Sequence, residues 1–111
     1  MRAEQIDTYT ISLYMAGDIK HAKQIIRREC YPPNPGLCVT ITPTTFIYTG
    51  GEEEGFVIGF VNYPRFPSRQ EELWNRAQNL ALILTKELGQ WSALLVSPKM
   101  TKWITHREEQ S

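Results

Sequence analysis

The sequence predicts an α+β fold: a two-layer sandwich with elements in the order βαβββαββ, two helices lying on one face of a mostly antiparallel sheet. Three observations carry this expectation. Residues 9–15 and 37–49 alternate apolar and polar side chains with the period of half-buried strands. Two stretches opening at Asp18 and Ser68 place apolar residues at helical spacing behind a capping side chain. Turn residues then separate the remaining strand-like runs so closely that hairpins are the fitting connection.

Each element has its own signal. In the first strand Tyr9, Ile11, Leu13 and Met15 alternate with Thr8, Thr10, Ser12 and Tyr14. Gly17 ends it, and Asp18 caps a helix whose face carries Ile19, Ala22, Ile26 and Cys30, with Ile25 beside them. That helix must stop near Tyr31, because the prolines of Pro32-Pro33-Asn34-Pro35-Gly36 supply no amide donors. Leu37, Val39 and Ile41 mark a second strand, Pro43 is expected to break it, and Phe46 with Tyr48 marks a third. Gly50-Gly51, three glutamates and Gly55 read as a hairpin tip before a strand from Phe56 to Tyr63, apolar on both sides and expected to be covered on both faces. Ser68 with Glu71 forms a capping box for the second helix, whose stripe is Leu73, Ala77, Leu80, Ala81, Leu84 and Leu88, with Trp74 and Ile83 at its flanks and Gly89 ending it. Two last strands follow, at 91–96 and 100–105, and then a polar tail, 106–111, expected to fray.

Length and composition bound the function. At 111 residues, with 41% hydrophobic and 22% charged residues, the chain is expected to be one globular domain spanning 1–111. Twelve basic and twelve acidic residues cancel, which argues against nucleic acid and against an anionic membrane surface as partners. No apolar stretch has the length of a membrane span or the form of a secretory signal, so a cytoplasmic location is expected.

Several chemistries lack their residues. The sequence has no CxxC, HxxxH or HExxH spacing and no calcium-loop pattern, so no metal and no cofactor is expected. His21 and Cys30, nine residues apart on one helix, are separated by about 900° of rotation and face opposite ways, so they form no nucleophilic pair. Cys30 reads as a small core residue and Cys38 as a side chain on the wetter strand face. Glu52, Glu53 and Glu54 read as solvated acids on a turn. The glycines around them precede no helix start, which excludes a phosphate loop.

What remains are cations and aromatics. Lys20, Lys23 and Arg27 project as one stripe on the first helix. Arg65 lies between Pro64 and Pro67, on backbone with little freedom to lose, a setting suited to gripping a carboxylate or phosphate or, alternatively, to clamping the glutamates. Arg69 stands in the first turn of the second helix. Tyr48 and Tyr63 offer flat apolar faces for a base. Threonines repeating along one sheet face (Thr10, Thr40, Thr42, Thr45, Thr49) raise the expectation of a homodimer.

The segments Tyr48-Thr49-Gly50-Gly51-Glu52-Glu53, Asn62-Tyr63-Pro64-Arg65-Phe66-Pro67 and Gln90-Trp91-Ser92 resemble those of short proteins encoded by tailed phages and prophages. The resemblance implies an accessory product acting in a bacterial host and brings no activity with it. Together these readings predict a non-catalytic binding protein that recognises a host protein or a small anionic, nucleotide-like ligand through Lys20, Lys23, Arg27, Tyr48, Tyr63, Arg65 and Arg69. The alternatives are a small phosphoester hydrolase or nuclease assisted by the glutamates or Asp18, and a structural self-assembling protein.

Overall fold

The computed structural model describes residues 1–31 and 37–107. Its elements are β1 (Thr10–Ala16), α1 (Ile19–Glu29), β2 (Val39–Tyr48), β3 (Gly51–Val61), α2 (Gln70–Glu87), β4 (Ser92–Val96) and β5 (Thr101–Thr105). The strands form one sheet in the order β2-β3-β1-β4-β5, with every neighbouring pair antiparallel. The α+β class and the antiparallel sheet are as expected, and among the described residues no helix is long and apolar enough to cross a membrane.

β1 occupies the middle of the sheet because its alternation gives it one fully apolar face. Ile11, Leu13 and Met15 are buried and stand in register with Phe60, Ile58 and Phe56 of β3. Leu95 of β4 pairs with Leu13 and extends the same surface. Onto it α1 packs Ala22, Ile25 and Ile26, and α2 packs Leu73, Ala77, Leu80, Ala81 and Leu84. Each large apolar side chain withdrawn from water here contributes about 1.5–3 kcal/mol. The two helices are also clamped at their surface, where the Arg28 guanidinium donates both Nη groups to the Glu87 carboxylate and Nε to Glu29.

Caps decide the helix ends. Asp18 accepts from the Lys20 amide at 3.0 Å, as its position predicts. α2 closes on Gly89 at φ 67°, with the Gln90 amide reaching the Thr85 carbonyl at 2.8 Å and the Gly89 amide that of Lys86. The capping box expected at Ser68 does not form. Arg69, not Ser68, is the cap residue of α2, and it makes no side-chain cap bond because a guanidinium offers no acceptor to the free amides, while the Ser68 amide donates to Asn62 Oδ1 at 3.0 Å.

The sheet differs from expectation in three places. Pro43 does not break β2, which runs through it, so two expected strands are one. The reason is that β2 lies at the sheet edge, where alternate amides face solvent and a residue without an N–H costs no ladder bond. The glutamates are not a turn tip. Tyr48 pairs with Gly51 across Thr49-Gly50, so Glu52, Glu53 and Glu54 lie within β3. Finally, β3 is covered on one face only, and Val61 on the other is 46% exposed. The proline-rich segment at 32–36 and residues 108–111 of the expected tail lie outside the described residues.

Candidate functional site

The sheet face turned away from the helices carries a notch, and its origin is a difference in strand length. β1 ends at Ala16, where Gly17 adopts a φ of 137°, whereas β2 and β3 continue alongside to Tyr48 and Gly51. On the other side the chain enters β4 through Gln90 and Trp91, and β5 runs out past it to Arg107. The floor is therefore made of small residues, Ala16, Ser92 and Ala93, and the walls of large ones. A cavity of about 550 Å³ results. Phe46 and Glu53 form one wall, Trp91, Trp103 and Arg107 the other, and Tyr14 and Leu94 the back.

Strand alternation selects these side chains. Phe46 and Glu53 are direct cross-strand partners, so both point to the open face, while Thr45 and Glu54 point to the helix side and bond each other at 2.9 Å. Of three adjacent glutamates, only Glu53 lines the notch. Trp91 and Trp103 are 58% and 61% exposed, an unusual cost for two indoles unless something covers them. The Arg107 guanidinium lies over the Trp91 ring, 5.8 Å from its centroid.

The segment that presents Arg107 is held rather than frayed. The His106 amide donates to the Trp91 carbonyl at 2.7 Å, continuing the β4–β5 ladder by one residue. The Arg107 amide donates to Thr105 Oγ1 at 3.1 Å. His106 Nε2 lies 2.8 Å from the buried Thr85 hydroxyl, which itself reaches the Leu82 carbonyl at 3.1 Å. A carbonyl only accepts, so the one hydroxyl proton goes to Leu82 and Nε2–H donates to Thr85. His106 thus fastens the chain end to α2.

The residues singled out from sequence do not converge. Lys20, Lys23 and Arg27 are exposed on α1 and line neither the notch nor the clefts at Trp74 and at Arg69. Arg65 does sit on a rigid turn, closed by the Phe66 amide on the Tyr63 carbonyl at 2.9 Å, but its guanidinium stacks on the Phe66 ring at 5.7 Å. Tyr63 belongs to that same knuckle, its ring 6.1 Å from Phe66. Arg69 lines a shallow cleft with Ile6 and Tyr9, and its Nε donates to Glu72 at 2.7 Å. Tyr48 alone lies beside the notch, on the open face two residues beyond Phe46, with its ring over Gly51.

A third cleft, between α2 and the β4–β5 turn, is lined by Ile11, Trp74 and Met100 among others and holds about 440 Å³. Glu71 and Lys99 give it charges of both signs, but Trp74 is the one indole in its lining, where the notch has two. Among the described residues no group of three metal-binding side chains comes together. Burial pushes the Cys30 thiol up, with Cys38 adding to the shift, which keeps Cys30 protonated and poorly nucleophilic.

Two solved structures share this fold. One is a phage SAM lyase in its apo state, with a TM-score of 0.66 at 12% identity, covering 99% of this chain and 100% of that chain. The other is a phage SAM lyase in complex with S-methyl-5'-thioadenosine, with a TM-score of 0.63 at 13% identity and the same coverage. The chain is similar in fold to these two structures over their whole length. At this identity the likeness extends to fold and not to residue roles. No protein-family model and no curated protein matches the sequence.

Proposed function

We propose that this protein binds an adenosine-bearing thioether or sulfonium, of the S-methyl-5'-thioadenosine or S-adenosylmethionine type, in the notch at the end of β1. The observation that carries the reading is the pair of exposed indoles, Trp91 and Trp103, standing over a floor of small residues with one carboxylate opposite them. A flat purine stacks on an indole whatever its edge groups, and a sulfonium is a cation suited to an aromatic wall and to Glu53. The full-length fold match to a protein seen with S-methyl-5'-thioadenosine supports the same ligand class and is consistent with a phage origin.

Compared with the ligand expected from sequence, the nucleoside is kept and the cationic grip is moved. In this reading the role expected of Lys20, Lys23, Arg27 and Arg65 passes to the notch, which none of the four lines. A second copy of the chain remains part of the proposal, seated on the open face at Val61 and clear of the notch.

Glu53 favours a second reading, in which the bound sulfonium is also cleaved. As the bond from sulfur to the amino-acid carbon breaks and its electron pair goes to sulfur, releasing S-methyl-5'-thioadenosine, an oxygen of the substrate's own carboxylate bonds to that carbon and closes a lactone, and Glu53 beside the sulfonium is the group able to steady the reacting centre. One experiment separates the two. Titration calorimetry with S-methyl-5'-thioadenosine is expected to give saturable binding, and incubation with S-adenosylmethionine followed by chromatography reports turnover. Binding without product supports the binder, product that disappears with Glu53→Gln supports the lyase, and no binding of either compound overturns both.

A further inference from the structure

Resting on the nucleoside reading, we infer that Arg107 is the residue by which the notch recognises a carboxylate on its ligand, so that it selects an adenosyl compound carrying an amino-acid head over the truncated thioether. Extending the β1–β3 register past Ala16↔Gly55 and the β4–β5 register past Ser92↔Thr105 brings Glu53 and Arg107 to opposite ends of one row across the sheet. β3 and β5 are three strand positions apart, so the two backbones stand about 14 Å from each other. Glu53 and Arg107 both line the cavity on the open face, one from each end of that row. The notch is therefore polarised along the sheet, with its acid on the Phe46 side and its base on the tryptophan side.

Arg107 has the attributes of a recognition residue. It is the one cation lining the notch among the described residues, and no described carboxylate is paired with it. Its guanidinium lies over Trp91, a contact that places the cation without using its N–H donors. Its backbone is fixed by the hydrogen bonds of His106 and Thr105, so little freedom is lost when a ligand arrives. A planar fork beside a stacked base fits the carboxylate of an amino acid joined to the nucleoside through sulfur, and it has nothing to bind in S-methyl-5'-thioadenosine.

Two uncleavable probes test this. Calorimetry would compare S-methyl-5'-thioadenosine with S-adenosylhomocysteine, which adds the amino-acid head without a sulfonium, on the wild type, Arg107→Gln and Arg107→Lys. The expected result is tighter binding of S-adenosylhomocysteine by the wild type, a loss of about tenfold or more for that ligand in Arg107→Gln, partial recovery in Arg107→Lys, and a change of less than about twofold for the thioether. Equal weakening of both ligands, or of neither, overturns the role of Arg107 while leaving nucleoside binding standing. A wild type that binds neither probe overturns the nucleoside reading, and this inference with it.

Discussion

The ring of Phe46 lies across Gly55 so closely that a Cβ on residue 55 would stand 2.6 Å from Phe46 Cε2 and 2.2 Å from the Met15 carbonyl oxygen. The same absent side chain lets β1 and β3 approach and seats the Phe46 ring that forms one wall of the notch. Fold and site therefore depend on one hydrogen in place of a methyl group.

Gly55→Ala is expected to destabilise the protein by about 3 kcal/mol, at the upper end for overpacking, because two of the three atoms it meets are backbone and cannot rotate away. Urea unfolding followed by circular dichroism measures this. A midpoint equal to the wild type would mean that the sheet opens there at no cost.

Trp103→Ala should weaken S-methyl-5'-thioadenosine binding by about 5- to 100-fold, the range for loss of one stacking partner, and leave unfolding nearly unchanged because the side chain is 61% exposed. Intrinsic fluorescence titration reads it directly. Trp74→Phe, on α2 beside the third cleft, is the control and should bind as the wild type does.

The Arg28–Glu87 clamp makes stability depend on acid. Hydrogen bonding to Arg28 holds the Glu87 carboxyl below the usual carboxylate range, against a smaller upward push from burial. A depressed folded pKa means that the contribution is present above the unfolded value and is lost as pH falls through the folded one. Thermal midpoints should accordingly drop from about pH 4 downward, and Arg28→Gln should flatten that limb relative to the wild type. Parallel acid limbs in the two proteins would show that the clamp is worth nothing, as many exposed pairs are.

The two cysteines should separate by reactivity. Cys30 is partly buried at the end of α1 with its thiol pushed up, and Cys38 is exposed. Iodoacetamide at mildly alkaline pH is expected to label Cys38 first, with Cys30 following at least several-fold more slowly, as read by peptide mass spectrometry. Faster labelling of Cys30 would contradict its packing against the core.

The layers of the molecule were legible in the chain because they follow from local patterns. Ile11, Leu13 and Met15 had to share a face, the stripe from Leu73 to Leu88 had to be covered, and Gly89 had to end α2. Pro43 and the glutamates misled for one reason. A proline breaks a ladder only on an inner strand, and glutamates form a turn tip only if the turn is where they are, yet both facts depend on which strand lies at the edge and where Tyr48 meets Gly51.

The site was hidden for a further reason. Glu53, Trp91, Trp103 and Arg107 come from separate stretches of chain, and nothing in their spacing links them. The one local hint was alternation, which turns the middle glutamate of three to the face opposite its neighbours. Arg65 drew attention because prolines make rigidity visible in sequence, but rigidity near a residue does not say what it faces. Periodicity, capping and turn chemistry, which act over a few residues, determined the helices, the strands and the helix-covered face. Register and strand length, which are settled only when distant segments pair, decided that β1 stops short and that an acid, a guanidinium and two indoles stand around the gap.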